Sequence, residues 1–445
     1  MNRLRSMVVI AMLLAGAGAL YTGSAARALP EQGGSYTPAE YKMFQAAVNE
    51  QTPATRIKLL DEFVLRFPES TLLPYIYRSY YISYSQVQDY LKAMDNVDKL
   101  LAQGDKVDKM PGLEQARLEA LELRARLFFL ALNQRKITTP EQYSAARKAS
   151  EEGIKFVGQR VKPENITDEQ FKQQNDVLLS LFHSVAATSA FQAKDFKGAI
   201  ESYKAALAIT PNDGSLYYRL GLSYLNLDPP QSNDGFWAIA RAISLKVPGE
   251  AQIRNFLRDR MLRFQLTTCE KLLDAQLNEL LTLAAAGGER PQNFAIPSHE
   301  EIAKLQADSN IDNVLADLKA GGDKAKLRWL AFCGVEYPQL GGKVFEVADA
   351  EGAVLVKVFA AGEAEAIDAG TEPNLELRIE GQPAAAKLKK EDAILFAGRL
   401  EDYSPDPFLV RLTKVKVDPE YLPKEEEKPA KKAPTKRPTK RPPGR

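Results

Sequence analysis

Residues 181–224 read LFHSVAATSAFQAKDFKGAIESYKAALAITPNDGSLYYRLGLSY, and the spacing inside this stretch decides the fold. Ala199 and Ala206 stand seven apart, on one helical stripe where small side chains let a second helix approach closely. Tyr203 lies between them and fills the gap they leave. Pro211 cannot continue a helix and turns the chain. Tyr217, Leu220, Gly221 and Tyr224 then resume helical spacing, with Gly221 as a notch for a neighbouring helix. His183 holds the first large position of this unit, which gives it a packing role.

An earlier stretch repeats the pattern. YSQVQDYLKAM over 84–94 aligns with AFQAKDFKGAI over 190–200: Asp89-Tyr90 matches Asp195-Phe196, and Ala93 and Ala199 each follow the aromatic by three. This resembles the tetratricopeptide (TPR) family, whose helix-turn-helix unit has 34 residues. The resemblance covers 181–224 and 74–101, and it extends to 41–68, where LLDEFVLRFP keeps Leu60, Phe63 and Pro68 but Arg56 takes a small-residue position. It implies a solenoid of stacked helix pairs over 29–250 whose concave face binds a protein partner. On that face the resemblance places Arg78, Gln192, Tyr218, Arg219 and Asn226, as anchors for an extended peptide or a partner helix. The tyrosines Tyr75, Tyr77, Tyr80, Tyr81 and Tyr84 either form an aromatic binding surface or pack at helical spacing.

Apolar residues at three- and four-residue spacing predict further helices over 113–133 and 140–156, and one or two over 251–286. Ser298 followed by Glu301 predicts a capped helix to about 306, and helices continue over 311–332. Together these make a helical extension over 251–338. From Gly341 the period changes to two. Runs at 343–347, 353–359, 375–379, 393–400 and 408–417 are rich in β-branched and aromatic residues, which predicts a small barrel or sandwich. The final part, ILFAGRLEDYSPDPFLVRLTKVKV with Gly398, resembles oligonucleotide/oligosaccharide-binding (OB) folds. That resemblance implies a ligand-binding β domain over 339–420, for oligosaccharide, peptide or nucleic acid, with Phe396 facing either in or out. The expected fold class is therefore mainly α: a TPR-like helical-repeat solenoid followed by a small five-stranded OB-like β-barrel.

The chain has 445 residues, 45% of them hydrophobic and 26% charged, which fits about two to four domains and excludes wholesale disorder. Arg3 and Arg5 precede an apolar run over 7–20, and Ala26-Arg27-Ala28 follows. This order predicts a signal peptide over 1–28 and export to the periplasm or cell envelope. The alternative is an uncleaved signal anchor in the inner membrane, although the run is shorter than the roughly 20 residues of a span. Residues 421–445 form a Lys/Pro-rich tail with no apolar face, expected to be disordered. Residues 1–28 carry three arginines and residues 428–445 eight cations, neither with an acid, so a net charge of +1 leaves −10 between them. The tail suits anionic envelope lipid or polymer, or serves solubility alone; nucleic acid is disfavoured by export and by the acidic body.

Two histidines and two cysteines are too few for a Cys/His zinc site, so no metal is expected. Nucleotide-binding, metalloprotease and nucleophile-elbow motifs are missing from the mature chain, which points to a non-catalytic protein with no cofactor. His299 with Glu300 and Glu301 belongs to the first turn of a capped helix rather than to acid/base chemistry. After export Cys269 and Cys333 would be either a disulfide pair or two buried thiols, in both cases structural. The expected function is protein–protein interaction or scaffolding in the periplasm or cell envelope. The competing classes are an enzyme, a carbohydrate-binding accessory protein or a nucleic-acid binder, the last two acting through the OB-like domain and the tail.

Overall fold

A computed structural model describes residues 36–267, 269–307, 310–360 and 372–423. The signal peptide expected over 1–28 and the tail beyond Pro423 lie outside the described residues. The chain divides into two compact units, 1–261 with 276–295 and 262–275 with 296–445. The segment read as a helical extension is therefore shared between the units.

The first unit is a run of helix pairs: α1 (Pro38–Asn49), α2 (Pro53–Arg66), α3 (Leu73–Gln86), α4 (Tyr90–Leu101), α5 (Ala116–Asn133), α6 (Pro140–Gly158), α7 (Asp168–Gln192), α8 (Phe196–Ile209), α9 (Gly214–Leu225) and α10 (Ser232–Ser244). Helices α11 (Glu250–Gln265) and α12 (Glu270–Ala285) follow. From α1 to α10 each helix packs on the next, and α1 also touches α3 while α5 touches α7, so the odd-numbered helices form one layer.

The repeated Asp-aromatic pair has a structural cause. Asp89 and Asp195 are the N-caps of α4 and α8, where Asp195 Oδ1 accepts from the Gly198 amide at 2.9 Å. Such a cap satisfies one of the orphan donors of a helix start. Immediately before each cap, Gln88 and Lys194 adopt left-handed backbone at φ 60° and 64°. The cap amides then reach back to Tyr84 O and Ala190 O, both at 2.9 Å. This closes the preceding helix in a Schellman turn. Arg135 and Lys246 repeat the turn at φ 58° and 55°, with Lys136 N donating to Ala131 O and Val247 N to Ala242 O. The turn thus persists through pairs whose sequence spacing has drifted far from 34.

Ala199 and Ala206 are fully buried with Tyr203 between them, and Gly221 brings α9 against α10. Arg56, at its anomalous small-residue position in α2, turns its guanidinium to the Glu50 carbonyl at 2.7 Å.

In the second unit, α13 (His299–Gln306), α14 (Ile311–Ala320) and α15 (Gly322–Phe332) precede β1 (Glu336–Ala350), β2 (Ala353–Ala360), β3 (Leu375–Ile379), β4 (Ala393–Pro405) and β5 (Phe408–Val417). Among the described residues these strands close into a barrel in the order β1-β2-β3-β5-β4, with β4 returning to β1. Only the β3–β5 pairing is parallel. Val356, Val358, Leu377, Phe396, Leu400 and Leu412 fill the interior. Register shifts at Val344/Glu346 and Leu400/Asp402 bend the strands so that the sheet can close.

The helices share one core with this barrel: Val314, Leu318, Trp329 and Phe332 join Leu340, Val344 and Leu400 in a single cluster. Trp329 packs at a tilt against Tyr403 of β4, ring centroids 5.0 Å apart, and Phe332 stacks on Tyr337 of β1 at 6.5 Å. Cys269 and Cys333 are bonded, their Cα atoms 5.5 Å apart. The β domain is thus one body with α13–α15 and the 262–275 segment. No helix among the described residues is long and apolar enough to cross a membrane.

Candidate functional site

The most distinctive polar arrangement lies on the odd-helix layer, where α9 meets α7. Arg219 Nη1 donates to Thr188 Oγ1 at 2.8 Å, and that hydroxyl lies 3.4 Å from the Tyr203 hydroxyl. Thr188 and Tyr203 are buried, so they hold the half-exposed guanidinium at one position. Among the described residues Arg219 has no carboxylate partner, and its charge is left to whatever meets this face. On its other side Tyr218 stands edge-on to Phe256 of α11, ring centroids 6.5 Å apart, and the Arg260 guanidinium covers that ring at 5.1 Å. A cation held over an aromatic face is attracted by the ring quadrupole and loses little mobility on binding a third group.

The residues placed on the concave face by resemblance divide into three kinds. Tyr218 and Arg219 are neighbours on α9 and belong to this arrangement. Gln192 is exposed at the end of α7, one turn beyond Thr188; Asn226 is exposed at the C-cap of α9, its amide donating to Leu222 O at 2.7 Å. Arg78 is different. It sits on α3, and its Nη2 is paired with Glu119 Oε2 of α5 at 2.9 Å, so its charge is already answered within the fold. Thr188, Phe256 and Arg260 escaped the sequence reading. The i, i+4 spacing of Phe256 and Arg260 was the available signal.

The tyrosine cluster packs rather than binds. Tyr80 and Tyr81 are buried, the Tyr80 hydroxyl donates to Asp61 Oδ1 at 2.6 Å, the Tyr75 hydroxyl donates to Pro111 O at 2.8 Å, and Tyr84 stacks on Tyr80 at 5.7 Å. Burial raises the Tyr80 pKa above its ordinary value, and its hydrogen bond to Asp61 adds to the effect.

His183 is half-buried on α7, and desolvation lowers its pKa. A folded-state pKa below the unfolded value of about 6.5 means that the unfolded chain binds the proton more readily. The stability due to His183 is therefore full above that value and is lost as the pH falls below it. Urea unfolding of the first unit at pH 7.5 and 5.5 should show a lower midpoint in acid, and His183→Gln should reduce that difference. An equal pH dependence in both proteins would remove His183 as its source.

Around His299, the Ser298 hydroxyl accepts from the Glu301 amide at 3.3 Å while Glu301 Oε2 accepts from the Ser298 amide at 2.7 Å. The acids here cap a helix. Among the described residues no group of three or more His, Cys, Asp or Glu could hold a metal ion.

The barrel surface is chemically plain where an OB-like module would offer a platform. Phe396, whose direction the alternation left open, points inward and is 1% exposed. Outward positions of β2 and β3 are Leu355, Lys357, Phe359, Glu376 and Arg378, and the one aromatic among them, Phe359, is 1% exposed and packs edge-on against Phe345 of β1 at 5.6 Å. Their charges are paired: Lys357 with Glu346 at 3.0 Å, Glu376 with Arg411 at 3.5 Å and Arg378 with Glu380 at 2.9 Å. The β1–β2 and β4–β5 turns are two residues each, Glu351-Gly352 and Asp406-Pro407. Stacking of bases or sugar rings needs exposed aromatic faces, and this strand pair has none.

Residues 190–228, from the last turn of α7 through α9, match the family model of the TPR repeat. The C-terminal part of a TPR repeat-containing protein from Cytophaga hutchinsonii, a solved structure, is 14% identical, covering 56% of this chain and 95% of that one, with a TM-score of 0.23. No curated protein matches the chain. Over 190–228 the chain is thus similar to a TPR repeat, and TPR repeats are generally protein–protein interaction modules.

Proposed function

We propose that this chain is a non-catalytic scaffold of the periplasm or cell envelope, exported by its N-terminal segment, which holds a partner protein on the odd-helix face of its solenoid. The TPR match over 190–228 coincides with the place where Arg219 is held by Thr188 and left without an ion partner, and this coincidence carries the reading. A side chain already fixed by its own fold loses little conformational freedom when a partner arrives. The basic residues of 428–445 would add a second, electrostatic contact with anionic envelope lipid or polymer.

Affinity capture from an envelope extract tests the reading, using the mature chain beside a Tyr218→Ala, Arg219→Ala double variant. A captured protein is then purified and titrated against both. Loss of about 2 kcal/mol at one central anchor weakens binding roughly thirtyfold, so the double variant should lose at least that much while its circular-dichroism melt stays near that of the parent. A partner bound equally by both proteins would sink the odd-helix face as the docking surface.

A further inference from the structure

The bond between Cys269 and Cys333 joins two helix ends of opposite sign. The Cys269 carbonyl accepts from the Leu273 amide at 3.1 Å, which makes Cys269 the N-cap of α12. Cys333 is the C-cap of α15, its amide donating to Trp329 O at 2.8 Å. A helix carries partial positive charge at its first turn and partial negative charge at its last. A thiolate is therefore favoured on Cys269, beside the amides that open α12, and disfavoured on Cys333, beside the carbonyls that end α15. Glu270 and Lys271, the next two residues of α12, carry opposite charges that offset one another.

The same bond anchors a particular segment. Residues 262–275, comprising the last turn of α11 and the start of α12, belong to the second unit. There Cys269 joins the core cluster that contains Trp329 and Leu340, and Leu272 is only partly buried against it. Lys271 lies 3.9 Å from Glu401 with its side chain 80% exposed, and an ion pair of that kind adds little. The continuation over 276–295 is held in the first unit, where Arg241 Nη1 donates to Ala284 O at 3.0 Å and Arg290 Nε to Asp234 Oδ1 at 3.0 Å.

We propose that the Cys269–Cys333 bond is a redox switch, which holds 262–275 on the second unit and releases it when a dithiol reduces the bond. One thiolate of the dithiol attacks Sγ of Cys333, forms a mixed disulfide there and expels Cys269 as the thiolate that the first turn of α12 stabilises. The second thiol of the reductant then attacks its own partner sulfur, closing the reductant's disulfide and freeing Cys333. Two electrons pass to the protein, and two protons end on the two cysteines. Both residues are more than nine-tenths buried, so exchange waits for local opening of the segment. Once the bond is gone, the opened segment is no longer tied into a loop, and its population rises.

The test uses the full oxidised chain without denaturant. In its first arm glutathione serves as a monothiol probe, the reaction is quenched early with iodoacetamide, and peptide mass mapping locates each adduct. Glutathione should lie on Cys333 and the carbamidomethyl group on Cys269, favoured about tenfold over the reverse by the two helix ends together. The second arm compares amide hydrogen exchange in the oxidised protein, in protein held reduced with dithiothreitol, and in Cys269→Ser with Cys333→Ser. Exchange over 262–275 should rise about a hundredfold on reduction and in the variant, while 276–295 and the β strands keep their protection. Should the double substitution fold poorly, the reduced parent decides.

Glutathione found mainly on Cys269 would overturn the helix-end asymmetry on which the chemistry stands. Unchanged exchange over 262–275 would mean that other contacts hold the segment, and an equal rise across α13–α15 and the strands would make the bond a staple of the whole unit. Either result would overturn the switch.

Discussion

Gly221→Val is expected to destabilise the solenoid by about 3 kcal/mol, at the upper end of what overpacking costs. A Cβ at this position would lie 2.5 Å from Ile239 Cγ1 and 2.8 Å from the Gly235 carbonyl oxygen. The second of these neighbours is backbone and cannot rotate aside. Gly235 faces the same contact from α10, where a Cβ would meet Leu225 at 2.7 Å, so neither helix can retreat without breaking its partner's packing. Gly158 is the control. It ends α6 with open space around it, and Gly158→Ala should leave stability unchanged or slightly raised, because alanine favours helix. Urea unfolding followed by far-ultraviolet circular dichroism would compare the three proteins. Equal midpoints for Gly221→Val and the parent would mean that α9 and α10 do not approach as closely as described.

Removing the disulfide should be costlier still for the second unit. Cys269 and Cys333 are 64 residues apart in sequence, and releasing a loop of that length returns about 4 kcal/mol of chain entropy to the unfolded state. Both residues belong to the core that also contains Trp329, Leu340 and Val344. Cys269→Ala with Cys333→Ala, in a Trp237→Phe background so that Trp329 alone reports, should lower the urea midpoint of the tryptophan transition. Dithiothreitol should lower it for the parent and leave the alanine variant unaffected. If neither treatment moves the Trp329 transition, the bond does not hold this unit together.

Much of the fold was legible because it depends on local patterns. The five β runs read from alternation fall within the five observed strands; β2 and β4 continue past the expected ends, and β1 starts at Glu336, seven residues before its expected run and inside the segment read as helical, and ends three residues after it. The direction of Phe396 was also available. Arg399 and Glu401 occupy the opposite parity of β4, leaving Ile394, Phe396 and Leu400 for the interior. Similarly, the start of α7 was written in Thr167 and Gln170, a capping box, although the helix was read only from its middle.

What escaped the sequence is long-range. Arg78 and Arg219 both look like exposed cations on a helix face. One is neutralised by Glu119 and the other is held by Thr188, and neither partner is within reach along a single helix. The same reason hides the union of α13–α15 with the barrel, which depends on contacts such as Trp329 with Tyr403. The candidate site was thus half visible: the α9 positions could be read, while the α11 ring and cation that complete it required the neighbouring helix to be in place.

The parallel pairing of β3 with β5 bears on the order in which the chain can fold. In the solenoid each helix finds its partner in the segment next to it, and structures rich in local contacts form quickly. The barrel has local hairpins at β1–β2 and β4–β5, but it closes only through two long-range pairings. Lys343 pairs with Ala393 and Leu375 with Val410, and β5 is hydrogen-bonded to both β3 and β4. A nascent chain halted at residue 407 would hold β1 to β4 and still expose an unpaired edge on each of two strands. Vectorial synthesis therefore leaves the second unit open until its last strand has emerged, after the helical repeats have had time to consolidate.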